Sequence, residues 1–337
     1  TPKPSSAASD VYKRQLLVFM ILVLLSAGLI FGDHAMTVDE LKSLILSPEQ
    51  NRPDVELIVL HLRMPRSLLA MLVGAALGVA GAIVQAVLRN PLAEPGILGI
   101  NAGAALAATI LIVALDSAPI HLLPWAGFLG ATTMAVAIYL LAWNNGTTSL
   151  RIILIGIGLS ALAGAVTTFL TAFGDMQDVR RAMIWLAGSV YDADWPTVKI
   201  LALWLAAPTI LAIVLSRELD LIRFGDHAAR SLGQRFDITC AGMILLSTAM
   251  SGAAVAASGL IGFVGLIAPH IARRIAGPGH RAVIPVSALV GAVLVMAADL
   301  IGRTVFTPVQ IPAGIVTALI GAPVFAILIW RRRDAVR

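Results

Sequence analysis

The amino-acid sequence predicts an all-α polytopic membrane protein with about ten transmembrane helices. Of its 337 residues, 58% are hydrophobic and 13% are charged, whereas soluble domains are roughly 45–50% apolar and about 25% charged. The apolar residues are gathered into runs of about 20, the length that crosses a hydrocarbon core of about 30 Å. These runs are rich in Gly and Ala, as in residues 74–81, and small residues let helices pack closely in lipid.

The composition excludes several classes of protein. A mean hydropathy of +0.91 argues against a disordered chain, a nucleic-acid-binding domain and a conventional soluble enzyme. In a membrane protein, a net charge of +5 is typical of basic residues retained on the cytoplasmic side. Cys240 is the single cysteine, so the sequence predicts neither a disulfide framework nor a cysteine-based metal site.

The chain divides into a short tail and one transmembrane domain. Residues 1–15 are polar and begin without Met, so we treat them as a tail, native or foreign, outside the fold. The domain covers residues 16–337. Its first apolar run, Leu16 to Phe31, has no small-residue cleavage site, which favours a transmembrane helix over a signal peptide. The ten predicted spans are 16–32, 67–87, 96–115, 121–143, 151–173, 195–216, 238–257, 259–276, 282–303 and 311–330.

Turn-forming and charged segments separate these spans. Residues 89–96 carry two prolines and a glycine between the second and third spans. Residues 216–237 form the longest charged connection, and only Ser258 and Gly259 separate the seventh span from the eighth. Four tryptophans lie near predicted span ends, where amphipathic rings prefer to sit: Trp125, Trp143, Trp195 and Trp330.

The distribution of Lys and Arg predicts that both chain ends are cytoplasmic. The side that carries both ends then holds Lys13, Arg14, Arg89, Arg151, the arginines of 217–235, Arg273, Arg274, Arg281 and Arg331 to Arg333. The opposite side holds Lys42, Arg52, Arg63, Arg66, Arg180, Arg181, Lys199 and Arg303.

Common catalytic and nucleotide motifs are missing from the sequence. There is no phosphate-binding G-x-x-x-x-G-K-[ST] loop and no H-E-x-x-H zinc motif. Residues 156–161, GIGLSA, imitate a dinucleotide fingerprint but lie within a predicted span and without a βαβ context. We therefore interpret them as small residues that pack against a neighbouring helix.

Two polar segments stand out on the predicted cytoplasmic side. Residues 89–96 are either a plain loop or an irregular element at the mouth of a pathway, where non-helical backbone is tolerated at membrane depth. Residues 216–237 carry enough apolar side chains for short amphipathic helices broken at Gly225 and Gly233. A solvated loop does not need those side chains, so the segment predicts a surface that docks a protein.

A third polar feature lies on the opposite side. Arg63 and Arg66 bracket Met64-Pro65, and the fixed backbone of Pro65 would present both guanidinium groups from a stiff platform. Asp299 and Arg303 are spaced i,i+4, which is also the spacing of a local ion pair on a helix. Lipid headgroup anchoring is the other interpretation of the arginines.

Long stretches of the sequence resemble a known family. The runs RMPRSLLAMLVGAALGVAGAIVQAVLRNPLAEPGILGINAGAA, GFVGLIAPHIARRIAGPGHRAVIPVSALVGAVLVMAADLIGR and IPAGIVTALIGAPVFAILI resemble permease subunits of type II ABC importers for iron-siderophores, haem and vitamin B12. The segments QDVRRAMIWLAGSVYDADWPTVKI and RELDLIRFGDHAARSLG are most similar to ferric-siderophore members, including ferric dicitrate permeases. One departure is Gln310, at a position where the family often has Glu.

The resemblance implies a fold, a function and partners. The fold is the ten-helix permease of type II importers, in the bacterial inner membrane. The chain would be no enzyme: it would dimerise with an identical or paralogous permease above two cytoplasmic ATPase subunits, which use ATP and Mg. It would bind no cofactor, metal or nucleic acid itself. A periplasmic binding protein would deliver the ferric siderophore, with haem or vitamin B12 as the alternative cargo.

The resemblance also implies roles for particular residues. Binding-protein docking falls to Arg63, Arg66 and Arg303. The inner gate falls to Asn90, Pro91, Leu92, Thr148, Ser149 and Leu150. Coupling to the ATPase falls to Gly225, Ala228, Ala229, Leu232 and Gly233.

Other interpretations make different demands on the sequence. A secondary transporter needs ionisable residues within the membrane for ion coupling, and Asp299 is nearly alone there. A membrane-embedded enzyme needs converging acid, base or metal-binding residues within the spans, which the sequence does not suggest. His270 follows Pro269 and is better interpreted as a structural histidine than as an iron ligand. Met176 and Met183 are interpreted as packing or outer-surface residues rather than haem ligands.

Overall fold

The computed structural model describes residues 6–32, 36–37, 40, 53–115, 119–144 and 146–333. Within these ranges the chain is helical, with no β-strand. The predicted outer-side residues Lys42 and Arg52 lie outside the described residues.

Besides short 3₁₀ turns, the described residues form thirteen helices of six residues or more, numbered in chain order. They are α1 (Ser6–Ile30), α2 (Pro53–Val87), α3 (Ile100–Ala114), α4 (Leu123–Ala142), α5 (Ser149–Phe173), α6 (Met176–Leu186), α7 (Trp195–Val214), α8 (Ser216–Ile222), α9 (Asp226–Ser231), α10 (Phe236–Ser258), α11 (Val264–Ala276), α12 (His280–Thr304) and α13 (Ala313–Arg333).

Each predicted span corresponds to one of these helices. In the part of the chain that the structure describes, seven helices are long and apolar enough to cross a membrane: α1, α2, α4, α5, α7, α10 and α12. Helices α3 and α13 are shorter apolar helices. The predicted span 259–276 is wrong in length: α11 has only 13 residues, or about 20 Å at 1.5 Å per residue. The chain is non-helical from Gly259 to Phe263, both of which have positive φ angles.

Other helices also differ from prediction. Helix α2 begins at Pro53, well before the predicted span 67–87. Helix α1 begins at Ser6, so part of the predicted polar tail is helical, and the Lys13 ammonium donates to the Ile275 carbonyl near the end of α11. Helix α6 was not among the predicted elements. The Asp175 carboxylate caps α6 by accepting from the Gln177 N–H at 2.8 Å.

Helix α2 forms the centre of the bundle. It packs against α1, α7, α10, α11 and α12, and most of its residues are buried. Close approach depends on glycines: a Cβ on Gly74 would overlap the Gly291 carbonyl, and one on Gly81 would overlap the Gly265 carbonyl. In lipid there is no hydrophobic driving force for helix association, so close backbone contact of this kind packs α2 against α11 and α12.

Helix α5 contrasts with α2. Only 17% of the residues in its apolar 18-residue stretch are buried. Its exposed side chains include Leu150, Leu154, Ile157 and Phe169. A Cβ on Gly158 would meet no atom within 4 Å. This face of α5 is therefore open to lipid or to another chain.

Helices α2 and α12 run antiparallel and define two ends of the bundle. The end of α2 and the start of α12 lie at what we call the basic end, with the 88–94 loop and helices α8 and α9. The start of α2 and the end of α12 meet at what we call the Asp299 end, where Arg66 contacts Asp299.

Candidate functional site

The 88–94 loop at the basic end is an ordered, irregular element. The Asn90 side-chain oxygen accepts from the Leu92 N–H at 3.0 Å, a turn in which an Asn side chain substitutes for backbone. The Glu94 carboxylate accepts from the Phe263 N–H at 3.2 Å. Burial raises the pKa of Glu94, and this hydrogen bond opposes the shift. The loop is therefore fixed to the start of α11.

The second predicted gate segment caps helix α5. The Thr148 hydroxyl accepts from the Arg151 N–H at 3.4 Å, and the Arg151 guanidinium donates to the carbonyls of Ala142 and Gly146. Leu150 is exposed, while Ser149 is half-buried. Within the described residues, no hydrogen bond or ion pair joins this turn to Asn90, Pro91 or Leu92.

The connection 216–237 folds as predicted into two short helices, α8 and α9. Gly225 and Gly233 interrupt them with φ angles of +98° and +86°, which favour glycine because it has no Cβ. Leu219 and Ile222 are fully buried, whereas Phe224 is 71% and Leu232 is 64% exposed. The exposed pair leaves an apolar surface at the basic end.

The structure corrects the placement of Ala229. This residue was predicted to lie on the docking patch, but it is fully buried within its own chain. Ala228 is half-buried. Phe224 and Leu232 therefore offer exposed apolar surface to a partner. Leu232 is among the predicted coupling residues. Phe224 belongs to the predicted amphipathic pattern but not to the predicted coupling residues, because the pattern does not reveal which face of the segment is covered.

The α8 segment is attached to the start of α12. Asp220 Oδ1 accepts from the His280 N–H at 3.0 Å and lies 2.7 Å from His280 Nδ1. The Arg223 guanidinium donates to the Pro278 carbonyl at 2.6 Å. A displacement of α8 would therefore be transmitted to α12.

The Asp299 end carries a buried polar cluster, which the sequence only partly predicted. Arg66 Nε donates to Asp299 Oδ1 at 2.9 Å, and Arg303 Nε lies 3.6 Å from Asp299 Oδ2. Arg66 also donates to Gln310 Oε1 at 2.7 Å and lies over the ring of Tyr191. The local Asp299–Arg303 ion pair is confirmed; the contact from Arg66 is additional.

The three arginines are buried, whereas the sequence predicted guanidinium groups presented outward from a stiff platform. Arg63, Arg66 and Arg303 are 6%, 8% and 4% exposed. The Arg63 guanidinium donates to the carbonyls of Leu29 and Ile30 at 2.7 and 2.8 Å. The expectation that the guanidinium groups point freely outward is wrong, because each bonds within the chain. Their part in docking stays a prediction.

Other residues considered from the sequence have ordinary surroundings. Met176 and Met183 are 84% and 60% exposed on α6, and His270 lies on α11 directly after Pro269. Across the described part of the chain, no three His, Cys, Asp or Glu side chains are grouped as metal ligands.

Comparisons with known proteins agree with this architecture. The chain is 42% identical over 286 residues to a probable siderophore transport system permease protein, YfhA, of Bacillus subtilis (strain 168), covering 83% of each chain. It is 41% identical over 326 residues to the achromobactin transport system permease protein CbrC of Dickeya dadantii (strain 3937), covering 96% of this chain and 93% of that protein. Its relatives also include the Fe(3+) dicitrate permease FecD of Escherichia coli (strain K12), the hemin permease HmuU of Yersinia pestis and the cobalamin permease BtuC of Halobacterium salinarum.

A solved structure extends the comparison to the fold. It is described as an inward-facing conformation of a metal-chelate type ABC transporter, and it superposes with a TM-score of 0.84 at 29% identity, over 94% of this chain and 97% of that one. The model of the FecCD transport family matches residues 18–331. The chain, an all-helical membrane permease by fold and by sequence, therefore belongs to the FecCD transport family.

Proposed function

We propose that the chain is the permease subunit of an ATP-driven importer that moves a ferric siderophore from the periplasm to the cytoplasm. The observation that carries the proposal is the pair of exposed apolar side chains of Phe224 and Leu232, which lie in the turns that follow α8 and α9 at the basic end. In a family of transport permeases without a phosphate-binding loop of their own, such a surface suits a separate ATPase. The chain itself performs no bond chemistry under this proposal.

The siderophore is favoured over other cargo by two relatives that are 42% and 41% identical to this chain. Those are named for siderophore and achromobactin transport. Hemin and cobalamin relatives at 40% and 38% identity keep haem and vitamin B12 as the alternative cargo of the same importer class.

The proposal includes an orientation and a set of partners. The basic end faces the cytoplasm, because arginines of α8, α9 and α11 lie there, and two ATPase subunits bind at that end. A periplasmic binding protein docks at the Asp299 end, where Arg63, Arg66 and Arg303 must turn from their internal partners to reach its carboxylates. A second permease subunit, identical or paralogous, covers the exposed face of α5. ATP drives transport only if the ATPase binds the inward- and outward-open states with different affinity.

Two further roles from the sequence belong to this proposal. Asn90, Pro91, Leu92 and the turn of Thr148, Ser149 and Leu150 border the inner gate. The exposed part of the segment from Gly225 to Gly233, together with Phe224 and without the buried Ala229, is the coupling surface. Reporter fusions after Arg333 and near Glu49 test the orientation: the first should report a cytoplasmic and the second a periplasmic position, and matching reports would contradict it.

Uptake in cells tests the cargo. A strain that lacks this permease and carries it on a plasmid is supplied with radioiron-loaded siderophore, haem or labelled cobalamin. Restored uptake of iron from the siderophore alone supports the proposal, whereas uptake of haem or cobalamin alone assigns the alternative cargo. Uptake that survives loss of the ATPase but stops with a protonophore would instead identify a secondary transporter.

A further inference from the structure

Arg89 ends helix α2 in a conformation that is unusual for its residue type. Its φ angle is +49°, in the left-handed region that side chains with a Cβ rarely adopt. The Arg89 N–H donates to the Ala86 carbonyl at 3.1 Å and the Asn90 N–H to the Gln85 carbonyl at 3.2 Å. This is the Schellman arrangement, in which glycine usually occupies the position of Arg89. The helix end alone does not account for an arginine here.

The contacts of the Arg89 side chain explain why an arginine occupies this position. Arg89 Nη2 lies 2.8 Å from Oδ1 of Asp226, the first residue of α9. The preceding residue, Gly225, lies beside the same guanidinium, since a Cβ on it would be in van der Waals contact with Arg89 Nη1 at 3.4 Å. The other end of α9 is attached to α10, since Arg230 donates to Asp237 Oδ2 at 2.7 Å. Arg89 is thus an ion-pair contact from the 88–94 loop to α9.

The backbone of Arg89 leads directly into the residues assigned to the inner gate. Asn90 follows at once, and its side chain fixes Leu92. The loop continues to Glu94, which is bonded to the start of α11. A movement of α9 that pulls on the Arg89 guanidinium therefore acts on the 90–92 turn through one residue.

Stability is a poor explanation for the pair. The side chains of Arg89 and Asp226 are 39% and 32% exposed, and ion pairs in such surroundings contribute little to folding. A glycine at position 89 would relieve the backbone strain. Arg89 therefore keeps a strained backbone conformation, and its ion pair fixes the position of the loop relative to α9 rather than adding stability.

We propose that Arg89 is a positioning residue that transmits the movement of α9 to the 90–92 turn through its ion pair with Asp226. The inference rests on the proposed function, because it takes α9 as part of the surface that the ATPase moves. It assigns no contact between Arg89 and the transported molecule.

The experiment measures the turn directly, without the cargo. Leu92→Cys is introduced after Cys240, the single native cysteine and buried, is replaced by Ala. The complete permease–ATPase complex in liposomes is treated with a polar thiol reagent, with no nucleotide or with ATP and vanadate. The rates are compared for the parent protein, Arg89→Gly, Arg89→Lys, Asp226→Asn and the charge-exchanged Arg89→Asp/Asp226→Arg. Arg14→Ala, which removes an exposed arginine at the same end, is the matched control.

We expect nucleotide to change the labelling rate roughly five-fold or more in the parent and the control, the lower end of usual coupling between sites. Arg89→Gly and Asp226→Asn should reduce the change to less than about two-fold. Arg89→Lys should retain part of it, and the charge-exchanged variant should restore at least half. Restoration separates positioning from a general structural defect, because both native side chains are then absent.

A full nucleotide response in Arg89→Gly would overturn the inference, and so would a charge-exchanged variant as unresponsive as Arg89→Gly. A parent protein without any response would also overturn it, since no movement would exist to transmit. Uptake of radioiron-loaded siderophore by the unsubstituted permease, with Leu92 and Cys240 in place, is measured in parallel. Its absence beside a normal labelling response would contradict the proposed cargo and leave the positioning role supported.

Discussion

The Asp299 carboxylate on α12 accepts a bifurcated hydrogen bond from Nε of Arg66 on α2, which lies 2.9 Å from Oδ1 and 3.2 Å from Oδ2. These residues are 233 positions apart in the sequence. Asp299 also pairs with Arg303 one turn along α12. A single buried carboxylate thus joins the two helices that form the centre of the bundle, at the end opposite to the attachment of α12 to α8.

Asp299→Asn should destabilise the permease. The substitution keeps the shape of the side chain but leaves the Arg66 guanidinium without its charged partner, and breaking a buried pair from one side costs about 3 kcal/mol or more. Unfolding of the purified permease in mild detergent by increasing SDS measures the change. Asp178→Asn is the matched control, since its pair with Arg181 is largely exposed and should contribute less than about 1 kcal/mol. Equal stability of both variants would show that the Asp299 pair is dispensable.

Gly74→Ala should disrupt the packing of α2 on α12. The added Cβ would overlap the Gly291 backbone, and overpacking of this kind costs about 1–3 kcal/mol. Gly158→Ala on α5 is the control, because its Cβ would meet open space and Ala favours a helix over Gly by about 0.5–1 kcal/mol. Thermal aggregation of the two variants compares them. If Gly74→Ala is as heat-resistant as Gly158→Ala, the glycine contact is not needed.

Leu232→Glu should weaken binding of the ATPase while the permease stays folded. Leu232 is exposed, so a charge costs little in the free chain but would be buried without a partner in the complex. Co-purification of the ATPase with the permease, measured against Arg14→Glu at the same end, tests this. Phe224→Glu should behave in the same way. Normal co-purification of both variants would place the ATPase elsewhere.

Arg66→Lys should weaken docking of the binding protein and should cost less stability than Asp299→Asn, because the ammonium keeps a positive charge opposite Asp299. Lysine lacks the planar fork that meets a carboxylate bidentately. Arg63→Glu/Arg66→Glu should reduce affinity further, most strongly at low salt, because charge pairs across a solvated interface are screened within about 8–10 Å at physiological ionic strength. The double variant also sets a second carboxylate beside Asp299, so its folding is measured before its affinity. Affinity of the folded variants for the loaded binding protein is compared with that of Arg181→Glu. An unchanged affinity in Arg66→Lys and in the double variant at low salt would reject docking at these arginines.

Apolar run length predicted the long helices well because a membrane span is a local property of the sequence. Helices α4, α5, α7 and α12 begin and end within a few residues of the predicted spans. The same measure failed for α11, because it counts the apolar but non-helical residues after Gly259 as part of the helix. It missed α6 because that helix carries Asp178, Arg180 and Arg181 and does not have the composition of a span.

The polar contacts were less predictable, for a different physical reason. The Asp299–Arg303 pair follows from i,i+4 spacing, whereas Arg66 reaches Asp299 only through the packing of α2 on α12. Arg89 and Asp226 also lie far apart in the sequence and meet only through tertiary packing. The burial of Ala229 depends on which neighbours cover α9, which the amphipathic pattern of 216–237 does not specify.

Uptake by purified components tests the central claim most directly. The permease and its ATPase are reconstituted in liposomes, and uptake of radioiron is measured with siderophore-loaded binding protein on the side of the Asp299 end and ATP on the side of the basic end. The account predicts uptake that requires both ATP and the binding protein and that vanadate abolishes. Uptake of the same extent without ATP, or no uptake of any ferric siderophore while haem or cobalamin enters, would contradict it.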